Sequence, residues 1–163
     1  MISVIDNYLD EANFEMLEAA FTSPSVAWYY NSYAPNKYEK KYKGNFYFNH
    51  TFFEQNEITS ANFHILKPLL YKLKVKAIVS IKSNLYPQTR EIIKHNLQKD
   101  YTFTLKSALF YINTCDGHTY FKSMNKKVNS IANRMVLFDS SKEYYNTTTT
   151  DQNGRFTLNI NYF

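Results

Sequence analysis

Apolar and polar residues alternate most regularly at the end of the chain. In 155–163, Phe156, Leu158, Ile160 and Tyr162 fall on one side of a strand, and Arg155, Thr157, Asn159 and Asn161 on the other. The turn Asp151-Gln152-Asn153-Gly154 precedes it. Further strand signals fill the second half of the chain. They are an apolar run at 105–112 within the segment 101–112, residues 118–121 after the hairpin signal Asp116-Gly117, and then 128–133 and 135–138. Upstream, 77–81 is β-branched and apolar, 45–50 is a candidate aromatic strand, and 2–4 reads as a short strand. Two stretches carry helical spacing instead. Asp10 is placed to cap a helix running to about Phe21, because Phe14, Leu17 and Phe21 share one stripe. Ser60 opens the second pattern, through Phe63, Leu66, Leu70 and Leu73, with Pro68 either kinking it or lying in its first turn. Residues 23–56 are aromatic and polar without firm period, punctuated by Pro24, Pro35 and Gly44. The threonine run 147–150 reads as an exposed loop, and no internal repeat is present.

Helices first and short strands afterwards predict an α+β fold, a jelly roll or sandwich with N-terminal helices supporting one sheet. The length of 163 residues suits one domain, 1–163, with a real core. The aromatic share of 18%, with 15 Tyr and 13 Phe, points the same way, although an AT-rich genome also enriches Tyr, Asn, Lys and Ile. Only 3 Gly and 4 Pro exclude collagen-like and disordered classes.

The net charge of +5 comes with lysines at 37–43 and at Lys72, Lys74 and Lys76, interleaved with tyrosine. No helix-turn-helix, RNA-recognition or zinc-finger pattern accompanies them, so nucleic acid is not the expected partner. The single cysteine, Cys115, excludes an internal disulfide and a thiolate zinc cluster, and fits a reducing compartment. The N-terminus lacks a basic region followed by an apolar run, and no apolar stretch approaches the roughly 20 residues that span a bilayer. No membrane association is expected.

Arg155 is the most informative single residue. Its face of the last strand turns a cation and three hydrogen-bonding groups the same way, which suits a small carboxylate, since guanidinium matches two oxygens at once. The competing reading is a polar face open to water. The histidines His50, His64, His95 and His118 form no H-x-x-x-H pair or catalytic grouping, and each reads as structural. A Gly-rich phosphate loop is missing, and Cys115 has no activating base beside it.

A longer order of phrases carries a resemblance. Ser83-Asn84-Leu85-Tyr86-Pro87-Gln88-Thr89 is followed by Gln98-Lys99-Asp100, then by Ala108-Leu109-Phe110-Tyr111-Ile112-Asn113-Thr114 with Asp116-Gly117-His118-Thr119-Tyr120-Phe121. Asn133-Arg134-Met135-Val136-Leu137-Phe138-Asp139-Ser140, Gly154-Arg155 and Asn159-Ile160-Asn161-Tyr162-Phe163 complete it, and the openings Ile5-Asp6-Asn7-Tyr8-Leu9 and Trp28-Tyr29-Tyr30 also match. In this order the chain resembles small 2-oxoglutarate/Fe(II)-dependent oxygenases of the prolyl-hydroxylase type, those of tailed phages in particular.

The resemblance implies a double-stranded β-helix, a distorted jelly roll with helices on one sheet. It also implies an iron site built from H-x-D and a distal histidine, and a late-strand cation on the far carboxylate of 2-oxoglutarate. Arg155 stands at the cation, with Tyr86 and Asn159 beside the cosubstrate. Asp100 stands at the carboxylate ligand, but Gln98 occupies the first histidine and Tyr144 the second. Sliding the alignment to His95-Asn96-Leu97 recovers an imidazole and loses the carboxylate, and His118 is a further candidate. A carboxamide is a feeble donor to Fe(II), and a tyrosine ligates well only as phenolate, against an ordinary pKa of about 10.

Three readings follow. The first is a degenerate, non-catalytic relative retained for binding or structure, without cofactor, whose partner is a protein, such as a phage structural protein. The second is a working hydroxylase using Fe(II) and 2-oxoglutarate at an atypical site. The third is an unrelated virion or lectin-like jelly roll, in which Asp100, Tyr144 and Arg155 point to unrelated places. The first is the expectation, with the protein in the cytoplasm of a host cell or on a virion.

Overall fold

The computed structural model describes residues 2–32 and 45–163. The lysine-rich stretch 37–43, with Pro35 and Gly44, lies outside the described residues.

The opening strand β1 (Ser3–Ile5) leads to helix α1 (Glu11–Thr22). Asp10 caps α1 as expected, its carboxylate accepting from the Asn13 amide, and Leu17 and Phe21 are the helix's buried residues. Strands β2 (Tyr29–Ser32), β3 (Phe46–Glu54) and β4 (Glu57–Ile58) follow. The second helical pattern divides at its proline. Ala61–Leu66 is a 3-10 turn capped by Ser60, and α2 (Lys67–Lys72) begins with Pro68 in its first turn, where the missing N–H costs nothing.

The regular elements that follow are β5 (Ile78–Pro87), β6 (Lys106–Tyr111), β7 (His118–Phe121), a 3-10 turn (Lys122–Met124), β8 (Lys126–Asn129), β9 (Arg134–Asp139), β10 (Tyr144–Asn146) and β11 (Gly154–Tyr162). The strands form an eight-stranded sheet in the order β1-β9-β6-β11-β5-β3-β2, with β4 on β3, and a three-stranded sheet β10-β7-β8. Among the described residues these strands pair antiparallel. This is the jelly-roll arrangement, with α1 and α2 packed on one face of the large sheet and the small sheet closing the other.

Each face has its own core. On the helix side, Leu17, Phe21 and Leu69 pack against Phe110, Leu158 and Ile160. Between the sheets lie Leu109, Tyr111, Phe121, Val136, Phe138 and Tyr144. The N-terminal phrase is fastened to the Asn133-Arg134 phrase. The Asn133 side chain exchanges hydrogen bonds with the Leu9 backbone at 2.8 and 2.9 Å, and Arg134 grips Asp6 with two nitrogens at 2.5 and 2.9 Å.

Four local expectations are corrected. Segment 101–112 is strand only from Lys106, because the residues before it turn around Ser140: Asp100 and Tyr101 N–H groups both donate to the Ser140 carbonyl. Strand β5 continues six residues past Ile81, since its polar inner face is paired on both sides by β3 and β11. The Asp116-Gly117 turn is not a hairpin, because it passes the chain from β6 in one sheet to β7 in the other. Finally, Thr147, Thr148 and Thr149 are fully buried rather than exposed, bonding the Arg155 guanidinium, the Ile93 amide and the Asp116 carboxylate in turn.

Candidate functional site

Strand β11 lies between β5 and β6, so its inward side chains form rows with theirs. Arg155 stands opposite Tyr86, Asn159 opposite Lys82 and Leu109, and Asn161 opposite Ser80 and Ser107. The polar face is therefore not open to water. Arg155 and Thr157 are fully buried, and Asn159 and Asn161 nearly so. Two charged groups occupy this interior, at different ends.

At one end, Gln98 and Tyr144 are backbone partners in both directions, at 2.9 and 2.8 Å, and Asp100 follows two residues on. The Tyr144 hydroxyl donates to Asp100 Oδ1 at 2.6 Å. Asn159 Nδ2 approaches both Asp100 oxygens at 3.1 Å and the Tyr144 oxygen at 3.0 Å, and Ser107 Oγ reaches Oδ2 at 3.2 Å. Burial pushes the Asp100 carboxyl above its usual range, although the hydrogen bonds from Tyr144, Asn159 and Ser107 work against the shift. Burial, and then the Asp100 charge, push the Tyr144 phenol well above its ordinary value. Tyr144 therefore stays protonated and acts as a donor.

Asp100, Gln98 and Tyr144, read as the three iron-ligand positions, meet in one place. The donors there do not fit Fe(II). They are one carboxylate with both oxygens engaged, one carboxamide and one neutral phenol whose proton points at that carboxylate, where 2-His-1-carboxylate sites supply two imidazoles. Among the described residues no three His, Cys, Asp or Glu side chains converge on a common point.

At the other end, Arg155 is held by neutral oxygens. Nη2 donates to Thr119 Oγ1 at 2.8 Å and to Asn146 Oδ1 at 3.2 Å, and Nη1 to Asn146 Oδ1 and the Thr147 carbonyl at 3.2 and 3.3 Å. Its carbon Cζ lies 5.3 Å from the Tyr86 ring centre and 5.2 Å from that of Tyr111. Among the described residues no carboxylate pairs with it, and Nε makes no hydrogen bond. Gly117 packs against its stem, since a Cβ there would stand 2.6 Å from Arg155 Cδ and 2.7 Å from the Thr148 carbonyl. The need for glycine at this turn is thus close approach inside the barrel.

His95 packs on Tyr86 with ring centres 4.9 Å apart, and burial together with the Arg155 charge holds its pKa down to about 4. His95 therefore lies beside the guanidinium, with no bond to Asp100. Alternation along β7 sends Thr119 and Phe121 inward, and His118 out toward Tyr145. His50 bridges the Ala27 carbonyl and Ser60, and His64 caps the Ala61 carbonyl, both structural roles.

A polar cleft of about 330 Å³ opens onto the Asp100 end. Tyr144 and Asn159 form part of its lining, but Arg155, four residues earlier on β11 and roughly 13 Å along the strand, does not. A carboxylate entering by the cleft thus meets Tyr144 and Asn159 before the guanidinium. Asn49, Ser80 and Asn84, which also line it, were not singled out from the sequence. The signal for Ser80 and Asn84 is the period-two polar face of β5, where Ser80, Lys82 and Asn84 alternate with Ile81, Ser83 and Leu85, and Asn49 stands opposite Asn84 on β3.

No protein-family model and no curated protein matches the chain by sequence. Solved structures do match by shape. A prolyl hydroxylase from Trichoplax adhaerens, in complex with a peptide fragment of the hypoxia-inducible factor oxygen degradation domain, superposes with a TM-score of 0.70 at 15% identity, over 99% of this chain and 83% of that one. A 2OG-Fe(II) oxygenase-family oxidoreductase from Burkholderia pseudomallei gives 0.68 at 8%, over 99% and 84%. A viral collagen prolyl hydroxylase from Paramecium bursaria Chlorella virus-1 gives 0.61 at 10%, over 98% and 93%. The chain has the double-stranded β-helix fold of the 2-oxoglutarate/Fe(II) oxygenases, in a form similar to prolyl hydroxylases.

Proposed function

We propose that this protein is a non-catalytic binding protein built on the oxygenase fold, its iron-ligand positions given over to a polar cluster that satisfies itself. The observation that carries the reading is the 2.6 Å hydrogen bond from the Tyr144 hydroxyl to Asp100. It engages the carboxylate, and it keeps the phenol in the form that does not ligate. Iron chemistry at this point would require Tyr144 to lose a proton that burial and a neighbouring negative charge both retain. The carboxamides of Gln98 and Asn159 supply neither the charge nor the nitrogen donors that would offset that cost.

An active hydroxylase holding Fe(II) and 2-oxoglutarate is the second reading. Its support is that Asp100 and Arg155 both stand inside the same barrel. It requires the Tyr144 hydroxyl to leave Asp100 and the guanidinium to turn from Thr119 and Asn146 toward the cleft. Anaerobic titration with Fe(II) and 2-oxoglutarate separates the two, together with an assay for 2-oxoglutarate turnover. The first reading expects no charge-transfer absorption and no succinate, and either signal favours the second.

A further inference from the structure

The cleft has an unusual lining for a binding site. Ligand pockets are mostly apolar with a few placed polar groups, but this one is walled by amides, hydroxyls and tyrosines. Asn49 on β3 stands directly opposite Asn84 on β5, Asn84 opposite Thr157, and Asn161 opposite Ser80. Across the strands these groups repeat at about 4.8 Å, close to the span between alternate, not adjacent, equatorial hydroxyls on a pyranose ring. Asn159 and Asn161 are tied into the Asp100 cluster, but the Asn49 and Asn84 side chains make no hydrogen bond within the described structure. Each presents a carbonyl acceptor and two N–H donors, the combination that can bridge neighbouring hydroxyls. Tyr47 and Tyr101 add aromatic rings to the wall.

Charge narrows the ligand further. Among the described residues that line the cleft, the charged ones are Lys82, which is paired with Glu54; Asp100, which is satisfied from within the barrel; and Lys99. One exposed lysine beside a carboxylate is a poor phosphate track. Peptide grooves take alternate side chains into pockets, and the apolar surface here is limited to tyrosine rings. The volume of about 330 Å³ suits one or two sugar rings. We infer that the cleft is a carbohydrate site, taking a neutral, hydroxyl-rich saccharide on the Asn49–Asn84 row. This rests on the non-catalytic binding reading and names its ligand class.

The test is titration of the full chain, in chelator-treated buffer, with glucose, galactose, mannose, N-acetylglucosamine and their β-linked dimers. Side-chain amide resonances are followed by NMR. The expected result is saturable shifting of the Asn49 and Asn84 NH₂ signals by at least one saccharide, with Asn49→Ala or Asn84→Ala weakening binding by about tenfold or more. Tyr120→Ala, on the outer face of the small sheet, should bind as the wild type does. Thermal melts establish that the asparagine variants are folded, as their lack of side-chain bonds predicts. No binding by any panel member up to about 50 mM, or tighter binding of a proline-rich peptide or oligothymidylate at the same amides, overturns the inference. Because iron is excluded, a negative outcome here leaves the iron titration to judge the non-catalytic reading independently.

Discussion

The two ends of the barrel interior bury opposite charges and treat them differently. At the closed end, the Arg155 guanidinium is fully buried, stacked between Tyr86 and Tyr111 and bonded to Thr119, Asn146 and the Thr147 carbonyl. At the open end, Asp100 meets the cleft and is held by Tyr144, Asn159 and Ser107. A cation and an anion in one low-dielectric interior would attract strongly if brought together, yet each is surrounded by neutral groups. The difference teaches that the closed end has become part of the core, whereas the open end keeps hydrogen-bonding capacity facing solvent. Removing a group at the closed end should therefore cost stability, and removing one at the open end should cost little.

Arg155→Met sharpens the contrast most. It leaves Thr119 Oγ1 and the Thr147 carbonyl without their guanidinium donor, strips Asn146 Oδ1 of all but the Thr119 hydroxyl, and opens space beside Gly117, so unfolding in urea should show a loss of about 3 kcal/mol. A variant as stable as the wild type would mean that the closed end is not core. Leu158→Ala, on the helix side of the same strand and fully buried, gives the reference for ordinary core loss at a similar magnitude, about 3 kcal/mol.

His95 gives the next largest effect, and its sign is fixed. Its pKa falls from about 6.5 to about 4 on folding, first through burial and then through Arg155. The native state thus binds the proton less tightly than the unfolded chain does. The associated stability is present above pH 6.5 and is lost as pH falls through 4, by up to about 3 kcal/mol. His95→Gln should reduce the pH dependence of the denaturation midpoint over this window without abolishing it, because burial holds His118 down to about 4 as well, and an unchanged slope would remove His95 from the closed end.

Asp100→Asn runs the other way. Burial raises this carboxyl, so its contribution is most favourable below the unfolded value of about 3.8 and declines as pH rises through the folded value. With the charge gone, Tyr144 still has an oxygen to bond, and stability at neutral pH should rise by about 1 kcal/mol. A marked loss would show that the anion itself is needed. The smallest effect belongs to Asn84→Ala, within about 0.5 kcal/mol, because its side chain bonds nothing in the described structure.

Much of this architecture was legible in the sequence because it rests on local rules. The Asp10 cap, the helical stripe of Leu17 and Phe21, and the two faces of β11 follow from spacing and alternation alone. The meeting of Asp100 with Gln98 and Tyr144 was readable only through resemblance, since 44 residues separate Asp100 from Tyr144. What escaped was set by tertiary context. Thr147, Thr148 and Thr149 look like a solvated run until Arg155, the Ile93 amide and Asp116 supply partners for them. Asp116-Gly117 has hairpin chemistry, but the chain there changes sheets and Gly117 makes room for an arginine. The inner row of β5 went unread because a polar period-two face ordinarily signals solvent, whereas here a second sheet and a cleft lie over it.

The central claim is that Tyr144 holds Asp100 where an oxygenase would hold iron. Anaerobic addition of Fe(II) and 2-oxoglutarate to wild type and to the double variant Gln98→His/Tyr144→His tests it most directly, read by visible absorption. The account predicts no charge-transfer band from the wild type and a gain of iron affinity in the variant, whose two imidazoles rejoin Asp100. A band from the wild type, abolished by Asp100→Asn, would contradict it.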